Sequence, residues 1–395
     1  MMVRFRTDAP TIHRTLKLPK PSLAISHMSI TEPILVFVAM FAAAGQGGIS
    51  AFHLDATSGR LTAVGDMVSQ PHAFFLAVAP DGRTLYANRA DAFGAPAEEE
   101  VVAWRIVNRE GRLEKINHQS ARGSASCFLD VEPQGRCLLV ANYTSGSVAA
   151  LPIRPDGSLG PAASVITHAG AGTLPDRQAA PHAHALLATT VGDDGTIAYA
   201  ADLGLDRVIA YQLDPATATL VPAEGLGGRT PPGSGPRHLA LHPNGHRLYC
   251  INELSNTVTV FDRKIATGAL VPGPTVSTLP DGHTGVSHCA DVTITPDGRF
   301  LYGTNRGHDS IAVFRIGDMG RLGRVAIVDS RGRGPQNLAI TPNGRLLLCA
   351  NMAGNSLAVF TIDASSGMLE PAGDPLELRS PACIRLITPA TVAQP

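Results

Sequence analysis

One short phrase recurs along the chain and constrains its fold more than any other feature. Each copy is an apolar run, a turn of the Pro-Asp-Gly or Pro-Asn-Gly type and a second apolar run, which is the pattern of a β-hairpin. Five clear copies and one weaker copy (the third) are APDGRTLY (79–86), EPQGRCLL (132–139), GDDGTIAY (192–199), HPNGHRLY (242–249), TPDGRFLY (295–302) and TPNGRLLL (341–348). Their turn glycines are 46 to 60 residues apart. Because further strand-like runs such as SIAVF (310–314) follow the hairpins, this period predicts a β-propeller.

The two ends of the chain determine the number of blades. Six full units begin near residues 71, 124, 181, 235, 287 and 334. The tail SPACIRLITP (380–389) matches the first strand of the sixth unit, and three strand-like runs precede the first unit at 34–41, 47–54 and 61–68. One C-terminal and three N-terminal strands complete a seventh blade, which removes the open edges of the array. The sequence therefore predicts an all-β fold, a seven-bladed β-propeller.

Composition limits the partners and the location. Residues 34–389 are expected to form the single propeller domain, and residues 1–33 a disordered N-terminal extension. Charged residues are only 16% and the net charge is −1, so neither a nucleic acid nor a membrane is an expected partner. The six cysteines lie within or beside strand-like runs without a CxxC pair, and we interpret them as reduced core residues. Reduced cysteines favour a cytoplasmic location. The alternative is a secreted protein with a signal peptide around the apolar run 34–45.

The predicted topology brings two columns of residues to one mouth of the central channel. Neighbouring strands of a blade run antiparallel, so the start of each first strand and the end of each second strand share a face. The second-strand column begins with Asn or Asp, which suits bonding to turn backbone, and then varies: Asn88-Arg89, Asn142-Tyr143, Asp202-Leu203, Asn252-Glu253, Asn305-Arg306, Asn351-Met352. The first-strand column is Phe74, Cys127, His184, Arg237, Ala290, Gln336 and Cys383, where His184 requires an insertion within 185–194.

Polar members of the two columns and their neighbours cluster in consecutive units. They are His182, His184, Arg237, His238, Glu253, Arg306, His308 and Asp309. Two arginines, a carboxylate and histidines facing one channel predict an anion-binding site with acid–base capability. A buried ion-pair network that plugs the channel explains the same residues equally well.

No metal or cofactor is expected. The histidine pairs 182/184 and 238/242 lack an evident cysteine or carboxylate partner for a metal. The Gly-rich stretch AGAGT (169–173) lacks the lysine and following helix of a phosphate-binding loop, so we interpret it as a connection between blades.

Several of these segments together resemble the lactonase family of seven-bladed propellers. The most specific are PHAHA (181–185), GPRHLALHPNG (235–245), INELS (251–255) and NRGHDSI (305–311), and the resemblance extends over nearly the whole chain from about residue 34. The family includes a 6-phosphogluconolactonase and the fungal-type 3-carboxy-cis,cis-muconate lactonising enzyme. The resemblance implies a site of one His, two Arg and one Glu, matching His184, Arg237, Arg306 and Glu253. The chain departs from the family's usual pattern at Asp291 and Gln336.

The resemblance implies metal-independent hydrolysis of a sugar-acid lactone, of the 6-phosphogluconolactonase type. Arg237 and Arg306 would bind the substrate anion and polarise the lactone carbonyl, while Glu253 or His184 activates water. The remaining candidates, expected to contact substrate, are His182, His238, His308 and Asp309. A lactonising cyclase is the second hypothesis, and both enzymes predict a small anionic lactone or carboxylate as the partner. The third hypothesis is a propeller that binds a partner without catalysis.

Overall fold

The hairpin repeats form seven antiparallel sheets in the computed structural model, which describes residues 33–95 and 97–387. Blades 1 to 6 follow one another along the chain, and each runs from its first strand to its last in sequence order. Blade 1 contains β4 (Leu76–Val78), β5 (Thr84–Arg89), β6 (Glu100–Ile106) and β7 (Leu113–Ser120). Blade 2 contains β8 (Ser126–Val131), β9 (Cys137–Asn142), β10 (Ser147–Pro152) and β11 (Ser164–Thr167).

Blades 3 and 4 carry the middle of the chain. Blade 3 contains β12 (Ala183–Val191), β13 (Gly195–Asp202), β14 (Arg207–Asp214), β15 (Thr219–Pro222) and β16 (Gly228–Arg229). Blade 4 contains β17 (Pro236–Leu241), β18 (Arg247–Asn252), β19 (Thr257–Arg263) and β20 (Leu270–Ser277).

Blades 5 and 6 complete the consecutive units. Blade 5 contains β21 (His288–Ile294), β22 (Phe300–Arg306), β23 (Ser310–Ile316) and β24 (Leu322–Asp329). Blade 6 contains β25 (Pro335–Ile340), β26 (Leu346–Asn351), β27 (Ser356–Ile362), β28 (Leu369–Pro371) and β29 (Leu376–Glu377). In blades 3 and 6 the outer edge is two short strands rather than one.

Blade 7 combines both ends of the chain, as the sequence predicts. Its strands are β30 (Pro381–Ile387), β1 (Ile34–Met40), β2 (Gly48–Leu54) and β3 (Leu61–Ser69). β30 pairs with β1 along its length, from Leu35 opposite Ile387 to Met40 opposite Pro381. The seven-bladed architecture and its closure are therefore confirmed. The expected extension 1–33 lies outside the described residues except for its last residue, and so do the final two residues of the expected domain.

A β-bulge near the start of the first strand recurs in several blades. The pairing register shifts by one residue around Cys127, His184, Arg237 and Gln336. A bulge leaves one residue without a partner in the ladder and re-aims its side chain. These residues are the predicted first-strand column, and His184 occupies it as expected. In blade 7 the shift falls at Ala382, which corrects the prediction of Cys383, because this strand is one residue longer.

In blades 2, 5 and 6 the asparagine column ties the second strand to the connection that precedes the blade's first strand. Asn142 donates to Ala121 O (3.0 Å), Asn305 to Thr278 O (3.0 Å) and Asn351 to Ser330 O (2.9 Å). The sequence analysis expected bonds to the backbone of the next turn; in these three blades the bonds are to backbone, but they go to the preceding connection. The constancy of this position therefore serves the fold, and the residue after it is free to vary.

Connections contain little helix, and one piece of it was not predicted. Within the described residues the structure has α1 (Pro175–Gln178) and a 3-10 turn (Asp318–Gly320). The expectation that no helix follows the Gly-rich stretch 169–173 is wrong, since α1 begins two residues later. Pro175 at its first position favours helix initiation there. No helix in the described part of the chain is long and apolar enough to cross a membrane.

Candidate functional site

Glu253 is the centre of the candidate site. It follows the last residue of β18, and its backbone N–H donates to Gly235 O (2.7 Å), which joins it to the start of the neighbouring strand β17. Its Oε2 lies 2.9 Å from Arg237 Nε, 3.0 Å from Arg306 Nη2 and 3.9 Å from His184 Nε2. The structure thus brings together the four residues that both the columns and the family resemblance selected.

A third arginine, which the sequence analysis missed, completes the cluster. Arg177 Nη2 lies 2.8 Å from Glu253 Oε1 and 3.4 Å from the hydroxyl oxygen of Tyr143. Arg177 belongs to α1, in the connection between blades 2 and 3, which is not a repeated position. Both carboxylate oxygens of Glu253 are therefore occupied by guanidinium groups.

The arginines set the protonation of Glu253. Burial alone would raise the pKa of its carboxyl group, but Arg306 and Arg237 together hold that pKa far below its usual range. Burial, and then the proximity of Arg306, lowers the pKa of Arg237 to about 10, so its guanidinium stays charged at neutral pH. The resting site is a carboxylate inside a cationic cage.

His238 is a hydrogen-bond partner of the Arg237 guanidinium group. Arg237 Nη1 donates to His238 Nε2 (3.2 Å) and to Ala290 O. Because Nε2 accepts this bond, the proton of the imidazole lies on Nδ1, which donates to Asp291 Oδ1 (2.8 Å). Burial, reinforced by Arg237, lowers the pKa of His238 to about 4 and keeps it neutral. Asp291, a departure from the family pattern, is therefore the group that orients His238.

His184 and His182 pack on Tyr143. The Tyr143 ring stacks on His182 at 4.4 Å between centroids and meets the His184 ring edge-on at 5.3 Å. His184 Nδ1 lies 3.6 Å from the Cys127 sulfur. Burial, followed by Arg237 and His238, lowers the pKa of His184 well below its usual value. His184 is a neutral imidazole beside a carboxylate, which is suited to proton transfer.

His308 and Asp309 make other contacts. His308 Nδ1 lies 2.7 Å from Ser310 Oγ and its ring packs against His283. Asp309 has a φ of 54° and its Oδ1 accepts bonds from the backbone N–H groups of Gly307 and Gly334. The contacts that the structure gives these two residues hold a turn and a neighbouring blade. Their predicted contact with substrate stays a prediction.

His288 is a further residue of this region that the sequence analysis missed. It opens β21 and pairs in register with Arg306, whose Nε lies 3.4 Å from His288 O. Burial lowers the pKa of its half-buried imidazole, with smaller influences from Glu253, Arg306 and Arg177. His288 is the first residue of the strand, two residues before the column position Ala290, which explains why the column did not include it.

The ion pairs do not use all the donors of the arginines. The hydrogen bonds described for Arg237 use Nε and Nη1, those for Arg306 use Nε and Nη2, and those for Arg177 use Nη2. Arg306 and Arg177 have side chains 28% and 38% exposed, whereas Arg237 is 2% exposed. Three guanidinium groups also exceed the charge of Glu253 and of Asp291 behind it. The salt bridges of the alternative, structural interpretation are present, but they leave an excess of positive charge, and the Arg306 and Arg177 side chains are partly exposed to solvent.

The described residues hold no group of three or more His, Cys, Asp or Glu side chains arranged for a metal ion. The Cys127 thiol beside His184 is buried, which raises its pKa to about 12. It is therefore neither a thiolate nucleophile nor a ready metal ligand.

A family model described as lactonase, 7-bladed beta-propeller, matches residues 35–386. The chain belongs to this family. The resemblance of its motifs is thus confirmed over nearly the whole described propeller.

Several proteins that are similar to this chain are named as 6-phosphogluconolactonase or gluconolactonase. It is 33% identical to a 6-phosphogluconolactonase of Bacillus subtilis over 303 residues, which are 76% of this chain and 83% of that protein. It is 28% identical over 306 residues to a 6-phosphogluconolactonase of Formosa agariphila, covering 74% and 82% of the two chains. Among solved structures it matches the Pseudomonas aeruginosa periplasmic gluconolactonase PpgL with a TM-score of 0.83 and 31% identity, covering 90% of this chain and 99% of that one.

Proposed function

We propose that the protein hydrolyses a sugar-acid lactone carrying an anionic group, in the manner of a 6-phosphogluconolactonase. The observation that carries the proposal is the cage of Arg177, Arg237 and Arg306 around Glu253, with His184 beside it. An excess of guanidinium groups, two of them partly exposed to solvent, favours an anionic substrate. The names of the Bacillus and Formosa relatives support the phosphorylated lactone, and that of the Pseudomonas protein supports the unphosphorylated one.

The arrangement supplies each element of ester hydrolysis. A water molecule loses a proton to Glu253 and its oxygen forms a bond to the lactone carbonyl carbon. The carbonyl oxygen becomes an oxyanion, which N–H groups of Arg306 and Arg237 stabilise. The ring C–O bond then breaks, the ring oxygen takes the proton back, and the new carboxyl group ionises to the sugar-acid carboxylate. His184, neutral and 3.9 Å from Glu253 Oε2, orients the water or relays the proton.

The test compares 6-phosphogluconolactone with gluconolactone, measured above their spontaneous hydrolysis. The variants are Glu253→Gln, which removes the proton acceptor, and Glu224→Gln, a matched change at an exposed glutamate. We expect the wild type and Glu224→Gln to be active and Glu253→Gln to lose about 100-fold or more in kcat. A folded Glu253→Gln protein with full activity would contradict the mechanism. A wild type inactive on both lactones would contradict the function, and conversion of a carboxylated muconate would then favour the cyclase.

A further inference from the structure

The third arginine has a role of its own. We propose that Arg177 is the ligand for the substrate's charged group and that it leaves Glu253 when that group binds. This inference rests on the proposed function and adds to it the residue that selects anionic over neutral lactones. The ligand class is a phosphate or carboxylate group on a small lactone.

Exposure distinguishes Arg177 from the other two arginines. Its side chain is 38% exposed, and its bonds to Glu253 Oε1 and the Tyr143 hydroxyl both use Nη2. Arg237 is buried and fixed by three acceptors, and Arg306 donates to two backbone carbonyl groups at the start of β21. An arginine bound only through side chains at the site's edge can exchange one oxygen anion for another at little cost. A planar guanidinium group also binds phosphate or carboxylate through two N–H groups.

The backbone that carries Arg177 is held firmly. The next residue, Gln178, is fully buried and donates to Leu203 O and Asp206 Oδ1, both at 2.8 Å, while its Oε1 accepts from the N–H groups of Thr173 and Leu174. Asp206 Oδ1 also accepts from Gly235 N–H (2.8 Å), two residues before Arg237. Helix α1 is therefore locked to the strand that presents Arg237. Only the side chain of Arg177 needs to move, so a bound anion would meet a preorganised position.

Moving Arg177 also changes Glu253. Oε1 is bonded to Arg177 alone among the described contacts, whereas Oε2 is shared by Arg237 and Arg306. Transfer of the guanidinium group to the substrate frees a lone pair on Oε1 and removes one of the cations that lower the pKa of this carboxyl group. The carboxylate becomes a stronger base at the moment when substrate is present. Binding of the anion and activation of the base are thus coupled through one side chain.

The experiment measures kcat/KM for 6-phosphogluconolactone and for gluconolactone in wild type, Arg177→Gln and Arg331→Gln. Arg331 is the matched control, because it is also in a connection between blades, is 41% exposed and pairs with a carboxylate, Asp374. We expect Arg177→Gln to lose about 100-fold on the phosphorylated lactone and less than about threefold on gluconolactone. Arg331→Gln should behave as wild type. Arg177→Lys, which keeps the charge but not the fork, should recover part of the loss.

An equal loss on both lactones, or no selective loss on the phosphorylated one, would overturn the proposal. A second readout does not depend on turnover: calorimetric titration of 6-phosphogluconate and of inorganic phosphate into wild type and Arg177→Gln. We expect the variant to bind 6-phosphogluconate at least about tenfold more weakly. If the wild type hydrolyses neither lactone, the proposed function fails, and the titration alone decides whether Arg177 binds an anion. Equal binding by both proteins would overturn the inference.

Discussion

Arg237 and Arg306 contact the same carboxylate oxygen, yet they differ in what their removal should cost. Arg237 is buried with its bonds to Glu253, His238 and Ala290, so truncating it removes the buried partner of the Glu253 carboxylate and leaves two further buried acceptors unpaired. We expect Arg237→Ala to lower the free energy of unfolding by about 3–5 kcal/mol. Arg306 is 28% exposed and solvent compensates its loss, so Arg306→Ala should cost about 1 kcal/mol or less.

Denaturant unfolding of both variants beside the lactonase assay checks this contrast. Both substitutions should reduce activity strongly, because each removes a donor for the oxyanion. Equal stability losses would contradict the different burial of the two guanidinium groups.

Buried histidines predict a loss of stability in mild acid. Burial and Arg237 hold the pKa of His238 at about 4, below the 6.5 of an unperturbed histidine, and the pKa of His184 is lowered for the same reasons. The unfolded chain therefore binds more protons than the folded protein between pH 6.5 and 4, so stability is complete above this window and falls as the pH decreases through it. For His238 alone the difference corresponds to about 3 kcal/mol.

Unfolding titrations at several pH values check the slope. His238→Asn should flatten the decline between pH 6.5 and 4, and His246→Asn, a matched change at an exposed position, should not. A slope that is the same in all three proteins would show that folding does not lower the pKa of His238.

Individual residues show how far the sequence could specify the site. His184, Arg237, Glu253 and Arg306 occupy repeated positions, so the alignment of repeats alone isolates them. Arg177 lies in a connection of unique length, where the repeat gives no register. The sequence did contain one indication of this helix. Proline followed by aspartate is typical of a helix start, and Arg177 comes directly after that pair.

Between elements, one residue in each of several turns fastens a blade to the next. Asp206, Asn256, Asp309 and Asn355 all have φ near 50° and all bond to the backbone that leads into the following blade. Asp and Asn tolerate this left-handed conformation better than other side chains do. This arrangement accounts for Asp309 without a substrate, although the motif NRGHD made it a candidate for binding.

Substitution of Asp309 separates the two interpretations. Asp309→Gly keeps a residue that accepts φ of 54° but removes the acceptor for Gly334 N–H, and it should lower the free energy of unfolding by about 1–3 kcal/mol. Asn355→Gly, which removes the equivalent acceptor for Ser380 N–H, is the matched comparison. We expect similar costs and an unchanged KM for the active lactone in both. A raised KM in Asp309→Gly alone would restore Asp309 to the substrate site.

A second set of links joins second strands to the outer turns of the next blade. The hydroxyl groups of Tyr86, Tyr249 and Tyr302 donate to Gly157 O (3.0 Å), Gly320 O (3.1 Å) and Gly367 O (2.9 Å). These tyrosines end the repeated phrase in the sequence, so the hairpin pattern contained the contact between blades as well as the fold of each blade. The pattern could not predict which residue accepts the tyrosine's hydrogen bond, because each acceptor glycine lies in the next repeat.

At the scale of the whole molecule, the ring is closed through apolar packing of β30. Ile384 is fully buried and belongs to a cluster with Ile34 and Val36 of β1 and Leu346 and Leu348 of blade 6. We expect Ile384→Ala to lower the free energy of unfolding by about 2–5 kcal/mol, with a cavity left between blades 6 and 7. Ile265→Ala, at a side chain that is 37% exposed, should cost much less.

Thermal and denaturant unfolding of the two variants provides the measurement. Both should unfold in a single transition, with that of Ile384→Ala shifted. Equal effects would mean that the seam between the chain ends does not limit the stability of the ring.

The number of blades was predictable from the strands left over after the six full repeats. One such strand lies at the C-terminus and three lie at the N-terminus, which together make one blade. The split outer strands of blades 3 and 6 were not, because strands of two to four residues leave too short a pattern. The chemistry at the channel mouth follows the same division. Repeated positions provide Glu253 and the residues around its Oε2, and the irregular connection before blade 3 adds Arg177.

The sharing of blade 7 between the two ends also sets the order in which the protein can be finished during its synthesis. β1 is made first among the described strands, and one of its two neighbours, β30, is made last. At about 5–20 residues per second, a ribosome leaves the buried strand Ile34–Met40 half-paired for tens of seconds. Throughout that time the nascent chain presents an unpaired apolar edge to its surroundings. The protein's need for chaperones should therefore be greatest before translation ends, and should disappear when the last strand is released.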